Sequence, residues 1–143
     1  MSQIWIASDH AGFEYKKKLI EFLPSWNWKD LGPFDTSSVD YPDFATLVAR
    51  HINENPNDKA ILICGSGQGM AIRANKYPNV RAALCYNEEV TCLSREHNNA
   101  NILCMGSRAV SFEQAQKIVK IFFETPFAEG RHRIRVDKLS RPL

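Results

Sequence analysis

The sequence predicts a three-layer α/β/α sandwich built on a five-stranded, parallel, doubly wound (Rossmann-like) sheet. Five short β-rich runs alternate with stretches of helical periodicity along the 143 residues. Several of those runs are apolar throughout, as strands covered on both faces must be. The middle run stops at Cys64 and opens into Gly65-Ser66-Gly67-Gln68-Gly69, the kind of turn that leads a strand into a helix at a binding edge. The length suits one domain with one sizeable core, so residues 1–143 are read as a single unit.

Gln3–Ser8 is the first β-rich run, and it ends at Asp9-His10-Ala11-Gly12. Phe13–Leu23 carries apolar residues at 13, 15, 19, 20, 22 and 23 around Lys16-Lys17-Lys18, a helical face closed by Pro24. Trp26–Leu31 reads as the second strand, ended by the turn Gly32-Pro33, and Phe34–Tyr41 as polar loop. Pro42 suits the first turn of a helix reaching about Asn55, and Asn55-Pro56-Asn57-Asp58 is a turn. Lys59–Ile63 is the third strand, followed by the glycine loop and a helix over Met70–Lys76. Arg81–Cys85 reads as a strand, Asn87–Glu96 as a helix and Asn101–Met105 as the fifth strand. Ser111 caps a helix to about Glu124. Residues 126–143 form a basic C-terminal arm, helical in part.

This alternation predicts strand order 2-1-3-4-5 or a close relative. Ligands of such sheets bind beyond the C-terminal strand ends, near the switch between strands 1 and 3. Asp9-His10 and Cys64-Gly65-Ser66, far apart in sequence, both fall there.

Composition narrows the function classes. A hydrophobic share of 44% and a charged share of 24% are those of an ordinary globular protein. No apolar run approaches the ~18 residues of a spanning helix, and the N-terminus lacks the basic and apolar regions of a signal peptide. Cys64, Cys85, Cys92 and Cys104 have no CxxC or zinc spacing, so they are read as reduced thiols of a cytoplasmic protein. The net charge of +2 hides an asymmetry: Gly130–Leu143 carries five Lys/Arg and one Asp, which marks an anion-binding arm.

The glycine loop matches no nucleotide fingerprint. Met70 and Ile72 stand where a dinucleotide motif needs a small residue, and no Gly-Lys-Ser/Thr follows as in a P-loop. What remains is a strand, loop and helix N-terminus that favour negative charge, with a thiol beside them. Positive potential lowers a thiol pKa, so Cys64 is a candidate nucleophile or base. Cys85, Cys92 and Cys104 read instead as small buried hydrophobes. Asp9-His10 is either an acid/base and phosphate-binding pair or a helix cap followed by an incidental histidine. His97 lies at a predicted helix end, where the dipole by itself favours a charged histidine. Arg131 and Arg135 share a face if the arm is helical. Without interleaved aromatics, the arm fits a compact phosphate clamp better than a nucleic-acid surface.

Several blocks together carry a family resemblance. They are Ser8-Asp9-His10-Ala11-Gly12-Phe13, Asp40-Tyr41-Pro42, Ile63 to Met70, Ala74-Asn75-Lys76, Arg81-Ala82-Ala83, Arg95-Glu96-His97-Asn98, Met105-Gly106-Ser107-Arg108 and Gly130-Arg131-His132. Across nearly its whole length the chain resembles the ribose-5-phosphate isomerase B family, which includes the galactose-6-phosphate isomerase subunits. The resemblance implies an aldose–ketose isomerase working through an enediol with no metal or cofactor, as a homodimer or dimer of dimers with active sites shared between subunits. It implies Cys64 as the proton-transfer base, Ser66 on the reacting oxygens, the amides of Gly65, Gly67 and Gly69 on the enediolate, and His97 with Asp9 in ring opening. Asn98 would hold the sugar, Tyr41 would line the pocket, and His10, Arg108, Arg131 and Arg135 would bind phosphate. His97, Asn98 and Arg108 would come from the neighbouring subunit. Some relatives use a glutamate in place of the thiol, and none occurs here between residues 55 and 87. Arg73 and Arg133 are less typical and leave the preferred sugar open. The alternatives are a galactose, allose or tetrose phosphate substrate, or a non-catalytic phosphosugar-binding subunit. Neither a nucleic acid nor a membrane is expected as a partner.

Overall fold

The computed structural model describes residues 2–143. In chain order the elements are β1 (Ile4–Ser8), α1 (Phe13–Phe22), β2 (Trp28–Asp30), α2 (Tyr41–Glu54), β3 (Lys59–Cys64) and α3 (Gln68–Ala74). They continue with β4 (Ala82–Leu84), α4 (Glu88–Glu96), β5 (Ile102–Gly106), α5 (Phe112–Glu124) and α6 (His132–Leu139). All strand pairs are parallel, in the order β2-β1-β3-β5-β4. No helix among the described residues is long and apolar enough to cross a membrane.

The last two strands exchange places relative to the predicted 2-1-3-4-5. Burial gives the reason. Every residue of β5 is buried, whereas the three residues of β4 are only half-buried. A fully apolar strand gains most where both edges are paired and both faces covered, and the shorter, wetter strand goes to the rim. The open edge of β4 is closed by a side chain. Asn75 Nδ2 donates to the Ala82 carbonyl at 2.9 Å, and the Ala82 N–H donates to Asn75 Oδ1 at 2.8 Å.

Alternate residues of the central strands feed two cores. Ile6, Ile61, Ile63, Leu103 and Met105 pack with Leu19 of α1 and with Ile118 and Phe122 of α5. Ala7, Leu62, Ile102 and Cys104 pack with Val48 and Ile52 of α2 and Met70 of α3. Side chains one residue apart on a strand point to opposite faces, so one apolar run serves both layers. Ser111 caps α5 as predicted, accepting the Gln114 N–H at 3.1 Å, and Asn87 caps α4, accepting from Val90 at 2.8 Å.

Lys16 is the buried member of the lysine run in α1. Its Nζ meets Asp30 Oδ1 at 2.7 Å and the Pro33 carbonyl. Phe13 and Phe34 lie within cation–π range, at 5.4 and 5.2 Å. Removing one member of a buried pair leaves the other charge uncompensated. Asp30→Ala is therefore expected to destabilise the fold by about 3 kcal/mol in urea unfolding. A loss below about 0.5 kcal/mol would mean that the Lys16 ammonium had found water.

Candidate active site

Three loops at the C-terminal ends of β1, β3 and β5 meet at the switch point. Cys64 is the last residue of β3. It is 4% exposed, and its Sγ accepts the Gly67 N–H at 3.1 Å. Gly67 has φ +81°, a conformation open to glycine, and a side chain there would strike Leu84 and the Met105 backbone. The same residue ends the loop and starts α3. Ser66 is exposed, and its Oγ accepts the Gln68 N–H at 3.3 Å, which leaves the hydroxyl proton available as a donor.

This sharpens which amides can meet a developing negative charge. Those of Gly67 and Gln68 already face Sγ and Oγ. Those of Gly69 and Met70 belong to the first turn of α3, where a helix has no acceptors of its own. A Cβ on Gly69 would lie 2.2 Å from the Tyr41 ring, so the absence of a side chain lets Tyr41 roof the loop.

Asp9 and His10 follow β1. Asp9 is buried, and Oδ1 accepts the Gly12 N–H at 3.0 Å. Asp9 thus braces the turn that leads into α1 rather than capping the helix, whose N-cap is Gly12, and its second oxygen remains for other work. His10 is exposed and its Nδ1 accepts the Val39 N–H at 3.2 Å. That contact makes Nε2 the protonated nitrogen of the neutral ring and a donor toward an anion.

Arg108 stands in the turn after β5. Its N–H donates to the Gly65 carbonyl at 3.0 Å, and its guanidinium lies against Gly65. It therefore belongs with its own chain's thiol loop, which corrects its assignment to the neighbouring subunit. Ser107, which sequence reasoning passed over, staples the three loops. Its N–H reaches the Cys64 carbonyl at 2.8 Å, and its Oγ donates to the Ala11 carbonyl at 2.8 Å. The only sequence signal was its place in the Met105-Gly106-Ser107-Arg108 block.

The remaining predicted residues form a second group. The helix α4 joins two parallel strands, so it runs back across the sheet and ends at the strand starts. His97, its C-cap, therefore sits some 13–16 Å from the Cys64 end, given ~3.3 Å per strand residue. Asn98 follows it and is exposed. The C-terminal arm docks on the same end: the Ala128 N–H donates to the Glu96 carbonyl at 3.0 Å, and the His132 ring stacks on His97 at 4.3 Å. Arg131 and Arg135, both exposed, thus belong with His97 and Asn98. Arg133 is held differently, paired with Glu129 and lying 5.8 Å from the Phe127 ring. Arg73 turns away from the glycine loop, its Nε donating to Thr46 Oγ1 of α2 at 2.9 Å.

Buried Arg95 organises this second group. Its guanidinium donates to Asn99 Oδ1 at 2.9 Å, to the Ala100 carbonyl and to the Thr125 carbonyl at 3.1 Å. It so joins the His97–Asn99 turn to the root of the arm. Burial, with Arg81 beside it, lowers the Arg95 pKa. Desolvation, then the charges of His97, Arg131 and Arg135, lower that of His132. A cavity of 650 Å³ also lies at this end, bordered by Lys76, Arg81, Asn98, Leu139 and Arg141. The concavity and the thiol therefore do not coincide within one chain.

A family model described as Ribose/Galactose Isomerase matches residues 4–139. A Mycoplasma genitalium protein described as a probable ribose-5-phosphate isomerase B is 47% identical, the match covering 96% of this chain and 93% of the relative. Ribose-5-phosphate isomerase B of Escherichia coli K12 is 36% identical, over 98% and 95% of the two chains. The crystal structure of the Mycoplasma genitalium enzyme with bound ribulose 5-phosphate superimposes with a TM-score of 0.93 at 45% identity, covering 96% of this chain and 93% of that one.

Proposed function

The chain belongs to the ribose/galactose isomerase family, and from that premise we propose that it interconverts ribose 5-phosphate and ribulose 5-phosphate by proton transfer through an enediolate. One observation carries the reading: Cys64 Sγ, Ser66, Tyr41 and Arg108 gather around one glycine loop at the switch of the sheet. A relative 45% identical binds ribulose 5-phosphate on the same fold.

The chemistry follows from the residue types. His97 donates a proton to the furanose ring oxygen while Asp9 accepts the proton of O1, and the ring opens to the aldehyde. The Cys64 thiolate takes the C2 proton, and the electron pair passes through the C1–C2 bond to leave negative charge on O1. The first-turn amides of α3 and the Ser66 hydroxyl meet that charge. Cys64 returns its proton to C1 while the O2 proton passes to O1, and the C2 carbonyl that forms completes the ketose. Tyr41 covers the sugar, and His10, Arg108, Arg131 and Arg135 hold the phosphate, whose binding energy fixes the reacting carbons.

Because one chain keeps its two groups at opposite ends of the strands, this assignment takes a second copy. A homodimer would bring the partner's His97, Asn98, Arg131 and Arg135 to each Cys64 loop. We place the protein in the cytoplasm, since a charged sugar phosphate does not cross a bilayer unaided.

A coupled assay with ribose 5-phosphate, allose 6-phosphate and galactose 6-phosphate tests the reading. Ribose 5-phosphate should give the highest kcat/KM by at least about tenfold, and a higher value for either hexose phosphate would overturn the pentose assignment. Arg135→Ala should raise KM about tenfold with kcat nearly unchanged, as expected for one lost charge-assisted contact to phosphate. An unmoved KM would remove Arg135 from the clamp.

A further inference from the structure

His132 has no part in the chemistry above, yet its imidazole lies face to face with that of His97. The ring centroids are 4.3 Å apart and the planes 15° from parallel. The arm is shaped to put it there. The Ala128 N–H is pinned to the Glu96 carbonyl, one residue before His97, at 3.0 Å. Glu129 and Gly130 then both take positive φ, at 60° and 56°, and turn the chain sharply into α6. His132 is the first residue of that helix, which buries only Val136. A helix so weakly rooted in the core is placed by its contacts at this end.

His97 has backbone support from the Leu93 carbonyl, which its N–H reaches at 2.9 Å. That contact sets its main chain and leaves the ring free to turn about χ1 and χ2. We infer that His132 is a positioning residue for His97: the stacked ring fixes the plane in which His97 presents its nitrogen to the furanose oxygen. Offset or parallel stacking suits two flat rings and needs no hydrogen bond from His132 itself. Glu96, Arg131 and Arg135 are the other charged groups around the pair. The inference rests on the assignment of His97 to ring opening.

Ribulose 5-phosphate separates the two steps. Its O5 carries the phosphate, so it cannot close to a furanose, and exchange of its C1 hydrogen with solvent needs Cys64 but no ring chemistry. His132→Ala should slow net conversion of ribose 5-phosphate about tenfold. In the same variant, deuterium uptake at C1 of ribulose 5-phosphate, followed by NMR in D2O, should stay within about twofold of the unmodified protein. His132→Phe, which keeps a flat ring without nitrogens, should recover most of the lost turnover. Equal loss of both rates in His132→Ala would overturn the inference, because His132 would then serve phosphate binding or the fold. So would a His132→Phe variant no better than alanine. An unmodified protein with neither exchange nor net turnover would overturn the isomerase reading and this inference with it.

Discussion

Cys64→Ala is expected to cut isomerisation by about 10³-fold or more while ribulose 5-phosphate still binds, since a lost general base removes about 10²–10⁴ in rate. The substitution is mild for the fold. Cys64 is small and buried, and alanine forfeits one sulfur acceptor for the Gly67 N–H. That costs about 1 kcal/mol, the order of one hydrogen bond. Cys64→Ser separates the two roles, because it restores an acceptor but not a base that ionises near neutrality. Both variants should lose C1 exchange together with net turnover, and both should give calorimetric affinities within a few fold of the unmodified protein. Residual activity within tenfold of normal would remove the thiol from the proton transfer and leave Asp9, the buried carboxylate after β1, to examine.

Mixing two inactive variants should restore activity. If Cys64 of one chain works with His97 of another, a Cys64→Ala chain and a His97→Asn chain each poison both sites of their own homodimer. A mixed dimer collects both substitutions in one site and leaves the other intact. After unfolding and random reassociation at equal amounts, half of the dimers are mixed, so about a quarter of normal activity should return. The rise from near zero to a quarter is large and has no counterpart if each chain holds a complete site. A mixture that stays inactive after verified subunit exchange would show that Cys64 and His97 do not serve one site across an interface. The same design with Cys64→Ala and Arg108→Ala should give no recovery, because Arg108 lies on the Gly65 backbone of its own chain.

Much of the fold was legible in local pattern. Apolar runs, the Pro42 helix start, the Ser111 cap and the glycine loop are short-range signals, and each element appears within a few residues of its predicted place. The first half of the site was equally legible. Asp9, His10 and Cys64 end strands, and a parallel sheet presents strand ends at one edge by construction. Strand order at the far edge was harder. It depends on how completely β5 must be buried relative to β4, a comparison across the sheet that no window of sequence contains. The burial of Lys16 was not legible for a similar reason, since its partners Asp30 and Pro33 come from a later strand and turn.

The chain by itself determined the family, the parallel α/β architecture and the identity of the chemical groups. These depend on residue type and on spacing along one strand or helix. Only the tertiary structure decided how the groups are divided. It put Arg108 with the thiol loop, and it put Arg131, Arg135 and His132 with His97 at the opposite end of the strands. The physical reason is direction. A helix joining parallel strands must run back across the sheet, so a residue at its end is carried away from the strand ends by the length of the strands themselves.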